Sequence, residues 1–141
     1  MNNNYVMVVD DDSYSTELYN VIMESSPYKS YFRSEEDAVK ALDDLKYLDL
    51  NEPGMFPVYI LLDLNMPEIN GLEFIKIFRE TFPDRISSTS FIITTSSVRT
   101  KDKNDALSFD CVKDLIIKPI PANYIEQLII NGINADSDPQ A

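Results

Sequence analysis

Val58-Tyr59-Ile60-Leu61-Leu62-Asp63 is an unbroken apolar run that ends on a carboxylate, and Leu64-Asn65-Met66-Pro67 follows it at once. A run of this length without alternation is the pattern of a strand buried on both faces, as in a parallel sheet. Pro67 and Asn70-Gly71 turn the chain directly afterwards. The run therefore predicts a strand whose carboxyl end delivers Asp63 to the edge where open α/β folds place their chemistry. An Asp at a strand end can also be a simple turn cap. What the other strands bring to the same edge decides between the two.

On both sides of this run the hydrophobic period alternates between strand and helix. A first strand is expected over 5–9 and a helix over 13–23, with Leu18, Val21 and Ile22 on one face. A second strand follows over 28–32. Ser34 then reads as the N-cap of a capping box with Asp37 in the acid position, opening a helix that carries Ala38, Val39, Ala41, Leu42 and Leu45. Residues 50–57 form a loop before the third strand. A helix over 71–82 points Leu72, Ile75, Phe78 and Phe82 inward and is closed by Pro83. The fourth strand spans 90–94, a weaker helix 102–109, the fifth strand 115–117 and a last helix 122–133. A polar tail covers 134–141. Five strands alternating with five helices predict an α/β fold: a doubly wound, five-stranded parallel sheet in a three-layer α/β/α sandwich. The whole chain of 141 residues reads as one domain.

Composition narrows the function. The net charge is −12, with 24 acids against 12 bases, so nucleic acid is not an expected partner. No apolar stretch is long enough for a membrane span, and the amino terminus lacks the features of a secretory signal. The single cysteine, Cys111, forms no intramolecular disulfide, and a reducing, cytoplasmic location is the expectation. There is no histidine. Ser-His and Cys-His dyads and His-ligated metals are thereby excluded, and any phosphohistidine chemistry needs its histidine on another protein.

In a parallel sheet all carboxyl ends share one edge. After the first strand come Asp10-Asp11-Asp12, after the third Asp63 and Asn65, after the fourth Thr95-Ser96-Ser97 and after the fifth Lys118-Pro119; the second delivers only Arg33 and Ser34. Two carboxylates about 4 Å apart repel by about 4 kcal/mol at an effective dielectric of about 20. Converging acids therefore need protons or a cation, and an all-oxygen ligand set suits Mg²⁺ or Mn²⁺. Asp10 and Asp11 are candidate metal residues, while Asp12 stands equally as a ligand or as a helix cap. Lys118 supplies a positive charge and Thr95 a hydroxyl donor. Around Asp63 as nucleophile, these groups meet the needs of phosphoryl transfer, which is mostly positioning and charge neutralisation. The Lys118-Pro119 bond is open to either isomer.

These motifs, Val8-Val9-Asp10-Asp11-Asp12, Ile60-Leu61-Leu62-Asp63-Leu64-Asn65-Met66-Pro67 with Asn70-Gly71, Thr94-Thr95-Ser96-Ser97 and Lys118-Pro119, resemble in order and spacing the receiver domain of bacterial two-component response regulators, over about residues 5–133. The resemblance is to the stand-alone type, with no output domain expected, and it implies a flavodoxin-like fold with strand order 2-1-3-4-5. It implies that Asp63 is the phosphoacceptor for a sensor histidine kinase or a histidine phosphotransfer protein. Asp11 and Asp63 would bind Mg²⁺ directly, Asp10 through water and Asn65 through its backbone carbonyl. Thr95 would be the hydroxyl that turns to the phosphoryl group, with Lys118 the family's lysine. Ser96 would leave access to the site, and Asn65 and Ser97 would tune hydrolysis. A downstream protein, or a phosphorylation-dependent dimer, would use the surface over 102–133, with Leu115 and Ile120 as apolar contacts. Two positions depart from the family. Leu115 stands where an aromatic residue is common, so signalling would rely on backbone shifts between Thr95 and Lys118. Cys111 stands where Gly often closes the fourth helix, and is expected to pack. Phosphatases of the haloacid dehalogenase type share the Asp nucleophile, but Asn65 replaces their second Asp and the acid cluster comes first. A pseudo-receiver would have lost one of the acids or the lysine, and a flavin-binding relative would need a phosphate loop in place of Asp10-Asp11-Asp12. The chain is therefore not expected to be an enzyme beyond its own phosphorylation and dephosphorylation.

Overall fold

A computed structural model of the chain describes residues 5–96 and 99–137. The elements run β1 (Val6–Val9), α1 (Ser13–Glu24), a 3₁₀ turn (Lys29–Tyr31), β2 (Phe32–Glu35), α2 (Ala38–Asn51), a second 3₁₀ turn (Pro53–Met55), β3 (Tyr59–Asp63), α3 (Gly71–Thr81), β4 (Ser90–Thr95), α4 (Thr100–Leu107), β5 (Val112–Ile117) and α5 (Tyr124–Ser137). All strand pairs are parallel, and the sheet order is β2-β1-β3-β4-β5, as expected.

Alternation along the buried strands splits the core into two layers. Met7, Val9, Ile60, Leu62, Phe91 and Ile93 face α2, α3 and α4, where Leu45, Phe74 and Phe78 are fully enclosed. Val6, Val8, Leu61 and Ile92 face α1 and α5, meeting Tyr19, Met23, Ile125 and Ile129. Both layers leave β1 and β3 side by side in the middle of the sheet. Their carboxyl ends are thereby adjacent, and Asp10 and Asp63 follow Val9 and Leu62 across the same step of the ladder.

Several local expectations are corrected. The second strand lies at Phe32–Glu35, not 28–32, and the aromatic-rich stretch before it is a 3₁₀ turn. Ser34 is consequently inside a strand, where its hydroxyl donates to Asn20 Oδ1 at 2.9 Å. The cap of α2 is Asp37, whose Oδ1 accepts from Val39 N at 2.8 Å and Lys40 N at 3.1 Å. Helix α1 buries Thr16, Tyr19 and Met23, while Leu18 and Val21 face solvent. Thr16 is buried at low cost because its hydroxyl donates to Glu36 Oε1 at 2.6 Å. In α2, Val39 is exposed and Leu48 is buried instead; in α3, Leu72 is only half-buried and Phe74 is enclosed. Helix α2 continues into the expected 50–57 loop. β5 starts three residues early and α4 two residues early. The last helix begins at Tyr124 and runs to Ser137 through the start of the expected polar tail; the rest of that tail lies outside the described residues.

Gly71 locks the turn after Asp63. Its N–H donates to Leu64 O at 2.9 Å, and a Cβ there would stand 2.9 Å from Asp63 O and 3.0 Å from the Leu64 Cα, both backbone. Gly71→Ala should therefore lower stability by about 1–3 kcal/mol, the usual cost of overpacking against atoms that cannot rotate away. Urea unfolding of the two proteins checks this, and equal midpoints would show that the turn yields.

Candidate functional site

The site is built at the carboxyl edge from three loops. After β1 the backbone of Asp10 still pairs with β2, its N–H donating to Glu35 O at 3.1 Å, and its side chain is buried. Asp10 Oδ1 accepts from Asp12 N at 2.9 Å. Asp12 itself turns away to cap α1, accepting from Tyr14 N at 3.1 Å and the Ser15 hydroxyl at 2.9 Å, so of its two readings the cap is observed. Asp11 is exposed at the rim. After β3, Leu64 N continues the ladder to Thr94 O at 2.9 Å. Asp63 stays buried, 5% exposed, with Oδ1 accepting from Asn65 N at 3.2 Å. After β5, Lys118 N donates to Thr95 O at 2.8 Å, and the Lys118-Pro119 peptide is cis.

Lys118 reaches back across this edge. Its Nζ lies 2.8 Å from Asp10 Oδ2 and 3.5 Å from Asp63 Oδ2. One ammonium thus serves two buried carboxylates, with Asp11 a third acid beside them. Three negative charges against one positive leave two uncompensated. The proton affinities reflect this. Burial raises the Asp63 pKa, Asp10 raises it further, and Lys118 only partly opposes them, so it stands at about 7. For Lys118, burial favours loss of the proton, but the hydrogen bond and charge of Asp10 and the charge of Asp63 outweigh it and hold the ammonium charged.

The donor set fits a hard divalent cation. Carboxylate oxygens of Asp10, Asp11 and Asp63 lie within 4.8 Å of one another. Asp10 Oδ2, moreover, is buried, and among the described residues its one partner is the Lys118 ammonium at 2.8 Å. An all-oxygen cluster with surplus negative charge suits Mg²⁺ or Mn²⁺.

Of the remaining expected residues, Thr95 is buried at the end of β4, and Asn65 and Ser96 are exposed at the rim. Leu115 is half-buried on β5 opposite Ile93, away from the acids. Ser97 lies outside the described residues. Cys111 is half-buried and packs on the α2–α4 layer, as expected, with its thiol pKa raised by burial. The early placement of β2 hid what that strand brings: its carboxyl end supplies Glu35 and Glu36, not Arg33 and Ser34. Tyr19 was missed too, because the buried face of α1 was read one step around the helix. The Thr16, Tyr19, Met23 spacing was the available signal.

A family model for the response regulator receiver domain matches residues 6–130. A protein-glutamate methylesterase/protein-glutamine glutaminase of Rhizobium etli is 28% identical over 119 residues, covering 84% of this chain and 31% of that protein. The chain spans about a third of the length of the curated relatives it matches. A two component response regulator from Cytophaga hutchinsonii superposes with a TM-score of 0.77 at 26% identity, over 95% of this chain and 99% of that one. A response regulator receiver protein from Pseudomonas putida, 20% identical, has the same fold, with a TM-score of 0.70 over 93% of this chain and 98% of the other.

The Asp63 environment predicts a pH signature. Its pKa is about 7 in the folded protein against 3.8 when unperturbed, so between these values the native state keeps a proton that the unfolded chain has lost. This group's contribution to metal-free stability is therefore greatest at the acid end, falls as pH rises through that window, and is flat above it. Asp63→Asn removes the effect. In EDTA, the variant should gain on the wild type as pH rises from about 5 to about 7.5, reaching about 2–4 kcal/mol at about 1.4 kcal/mol per pKa unit. A difference that stays constant across urea titrations in that window would mean that Asp63 ionises normally.

Proposed function

Because the chain belongs to the response regulator receiver domain family, we propose that it takes a phosphoryl group onto Asp63 from a sensor histidine kinase or a histidine phosphotransfer protein, and signals in that state to a partner protein. The observation that carries this reading is the convergence of Asp10, Asp11, Asp63 and Lys118 on one sheet edge, with two negative charges left over.

An oxygen of the Asp63 carboxylate attacks phosphorus while the bond from phosphorus to the donor's imidazole nitrogen breaks, and the imidazole leaves with a proton from solvent. These 141 residues hold no histidine, so the phosphohistidine lies outside them. Asp10, Asp11 and Asp63, with the Asn65 carbonyl, would hold Mg²⁺, whose charge offsets that of the incoming phosphoryl group. Lys118, already 3.5 Å from Asp63 Oδ2, supplies a fixed cation on the other side. The Asn65 N–H holds Asp63 Oδ1 and leaves Oδ2 toward the lysine. Thr95 offers its hydroxyl to the new phosphoryl oxygens, and the exposed Ser96, with Ser97, tunes access for water. On this reading the chain turns over no substrate but its own aspartyl phosphate. Among the described residues no helix is long and apolar enough to cross a membrane, and the surplus of acids disfavours nucleic acid. The surface over 102–133 is proposed for the downstream protein or for a phosphorylation-dependent dimer.

Incubation with a radiolabelled small phosphodonor and Mg²⁺ should label the wild type at one site and leave Asp63→Asn unlabelled. Asp11→Ala should bind Mg²⁺ at least about tenfold more weakly, having lost one charged ligand. Equal labelling of wild type and Asp63→Asn, or none of the wild type, would sink the assignment.

A further inference from the structure

We propose that the Tyr19 hydroxyl is a positioning group for the phosphorylated state, taking over the buried carboxylate of Asp10 when Lys118 turns to the phosphoryl group on Asp63. This rests on the phosphoacceptor reading above and adds a residue to it.

The need arises at Asp10. Its Oδ1 is satisfied by Asp12 N. Its Oδ2 is buried, and among the described residues the Lys118 ammonium, at 2.8 Å, is its one partner. A phosphoryl group brings close to two negative charges to a carboxylate that Lys118 already approaches at 3.5 Å. An ammonium is a compact point charge on a flexible stem and follows the larger charge. Because Asp10 would reach the Mg²⁺ only through water, its Oδ2 then loses its one direct protein partner, and a buried carboxylate oxygen short of a donor is among the costlier states a core can hold.

Tyr19 is placed to answer this. It is 6% exposed on α1 and packs with Val8 and Leu61. By strand alternation these stand on the same sheet face as Asp10 and Asp63, one pleat earlier, about 7 Å along the strands. From that face a tyrosine ring directed along the strands toward their carboxyl ends would bring its hydroxyl to the acids. The electrostatics agree: the charges of Asp10, Lys118, Asp63 and Asp12 all act on the hydroxyl, and burial, with Asp10 next, keeps it protonated. Tyr19 in turn contributes to the field at Lys118. It therefore presents an O–H donor, which a carboxylate deprived of its ammonium requires. A phenylalanine would fill the same apolar site, so packing leaves the hydroxyl unexplained.

Calorimetric titration of the full chain with beryllofluoride and Mg²⁺, a phosphoryl mimic that binds the acceptor carboxylate, tests this. Tyr19→Phe should bind beryllofluoride about tenfold more weakly, with Mg²⁺ affinity and the unliganded urea midpoint nearly unchanged. In the wild type, the ¹³Cζ resonance of Tyr19 should move on beryllofluoride addition, as expected for a phenol gaining a charged acceptor. Beryllofluoride affinity within twofold of wild type would overturn the inference. So would a weakening that merely follows lost stability while the ¹³Cζ resonance stays still, and if Tyr19→Phe does not fold, that wild-type resonance decides alone. Asp63→Asn separates the two levels. Binding by wild type and not by Asp63→Asn upholds the phosphoacceptor reading whatever Tyr19→Phe does, and no binding by wild type overturns both.

Discussion

Two buried carboxylates, Asp10 and Asp63, share one ammonium. The fold brings them together without providing the charge to neutralise them, and the properties of the site follow from that shortage. Lys118 is held more tightly by Asp10, so Asp63 is left with the raised proton affinity. Ionised groups in a low-dielectric setting are costly unless fully paired. In the resting protein the edge is therefore electrostatically strained, and any ligand that adds positive charge, or removes the Asp63 carboxylate by esterifying it, changes the balance. A site that is stable as it stands would have no reason to respond.

This liability sits on a closely packed sheet. The layer behind the acids on the α3 side is built from aromatic rings: Phe78 packs edge-on to Phe91 at 5.0 Å and against Phe82 at 5.0 Å, and Phe56 meets Phe82 at 5.5 Å. These rings bury large area in fixed geometry. They sit toward the amino ends of the strands, where Thr89 also ties Pro57 O at 2.9 Å. The carboxyl end is shaped by backbone devices. Gly71 presses its Cα against the β3 turn, Asn70 and Glu73 form a reciprocal capping box, and Glu68 is held at φ 65°. A left-handed glutamate costs about 1–2 kcal/mol, and such strain collects where the chain is forced to serve a site rather than itself.

Much of this could be read from residues alone, for identifiable reasons. The central strands are buried on both faces, so their apolar runs are continuous and end sharply on Asp10 and Asp63. That placed the acid edge, while the sheet order rested on the family resemblance. Where burial is partial, composition misleads. β2 is an edge strand paired only with β1, its residues are half-buried, and Phe-Arg-Ser-Glu carries less apolar signal than the Tyr-rich turn before it. The α1 face went astray because Thr16 is polar yet buried through its bond to Glu36, whereas Leu18 and Val21 are apolar yet exposed. Periodicity ranks residues by hydrophobicity and cannot see a hydrogen bond between side chains twenty positions apart. The cap of α2 failed for a simpler reason: Asp37 bonds two N–H groups directly, and no reciprocal partner is needed.

Leu115 sharpens how the site communicates. In the sheet register Leu115 faces Ile93 and Ile117 faces Thr95, so the half-buried leucine belongs to the α2–α4 layer and the neighbour of Thr95 on β5 is Ile117, which is 44% exposed. Lys118 N, the next donor along, bonds Thr95 O at 2.8 Å. The end of β4 and the end of β5 are therefore joined through backbone at the point where Thr95 and Lys118 would both engage a phosphoryl group. On the proposed function, a movement of Thr95 and a movement of Lys118 pull on the same hydrogen bond, and Ile117 lies between them with its side chain at the surface. No aromatic rotor at position 115 is required for that route. It needs only that the ladder stay intact while its last rung shifts, and the short, parallel pairing of β4 with β5 holds through to that rung.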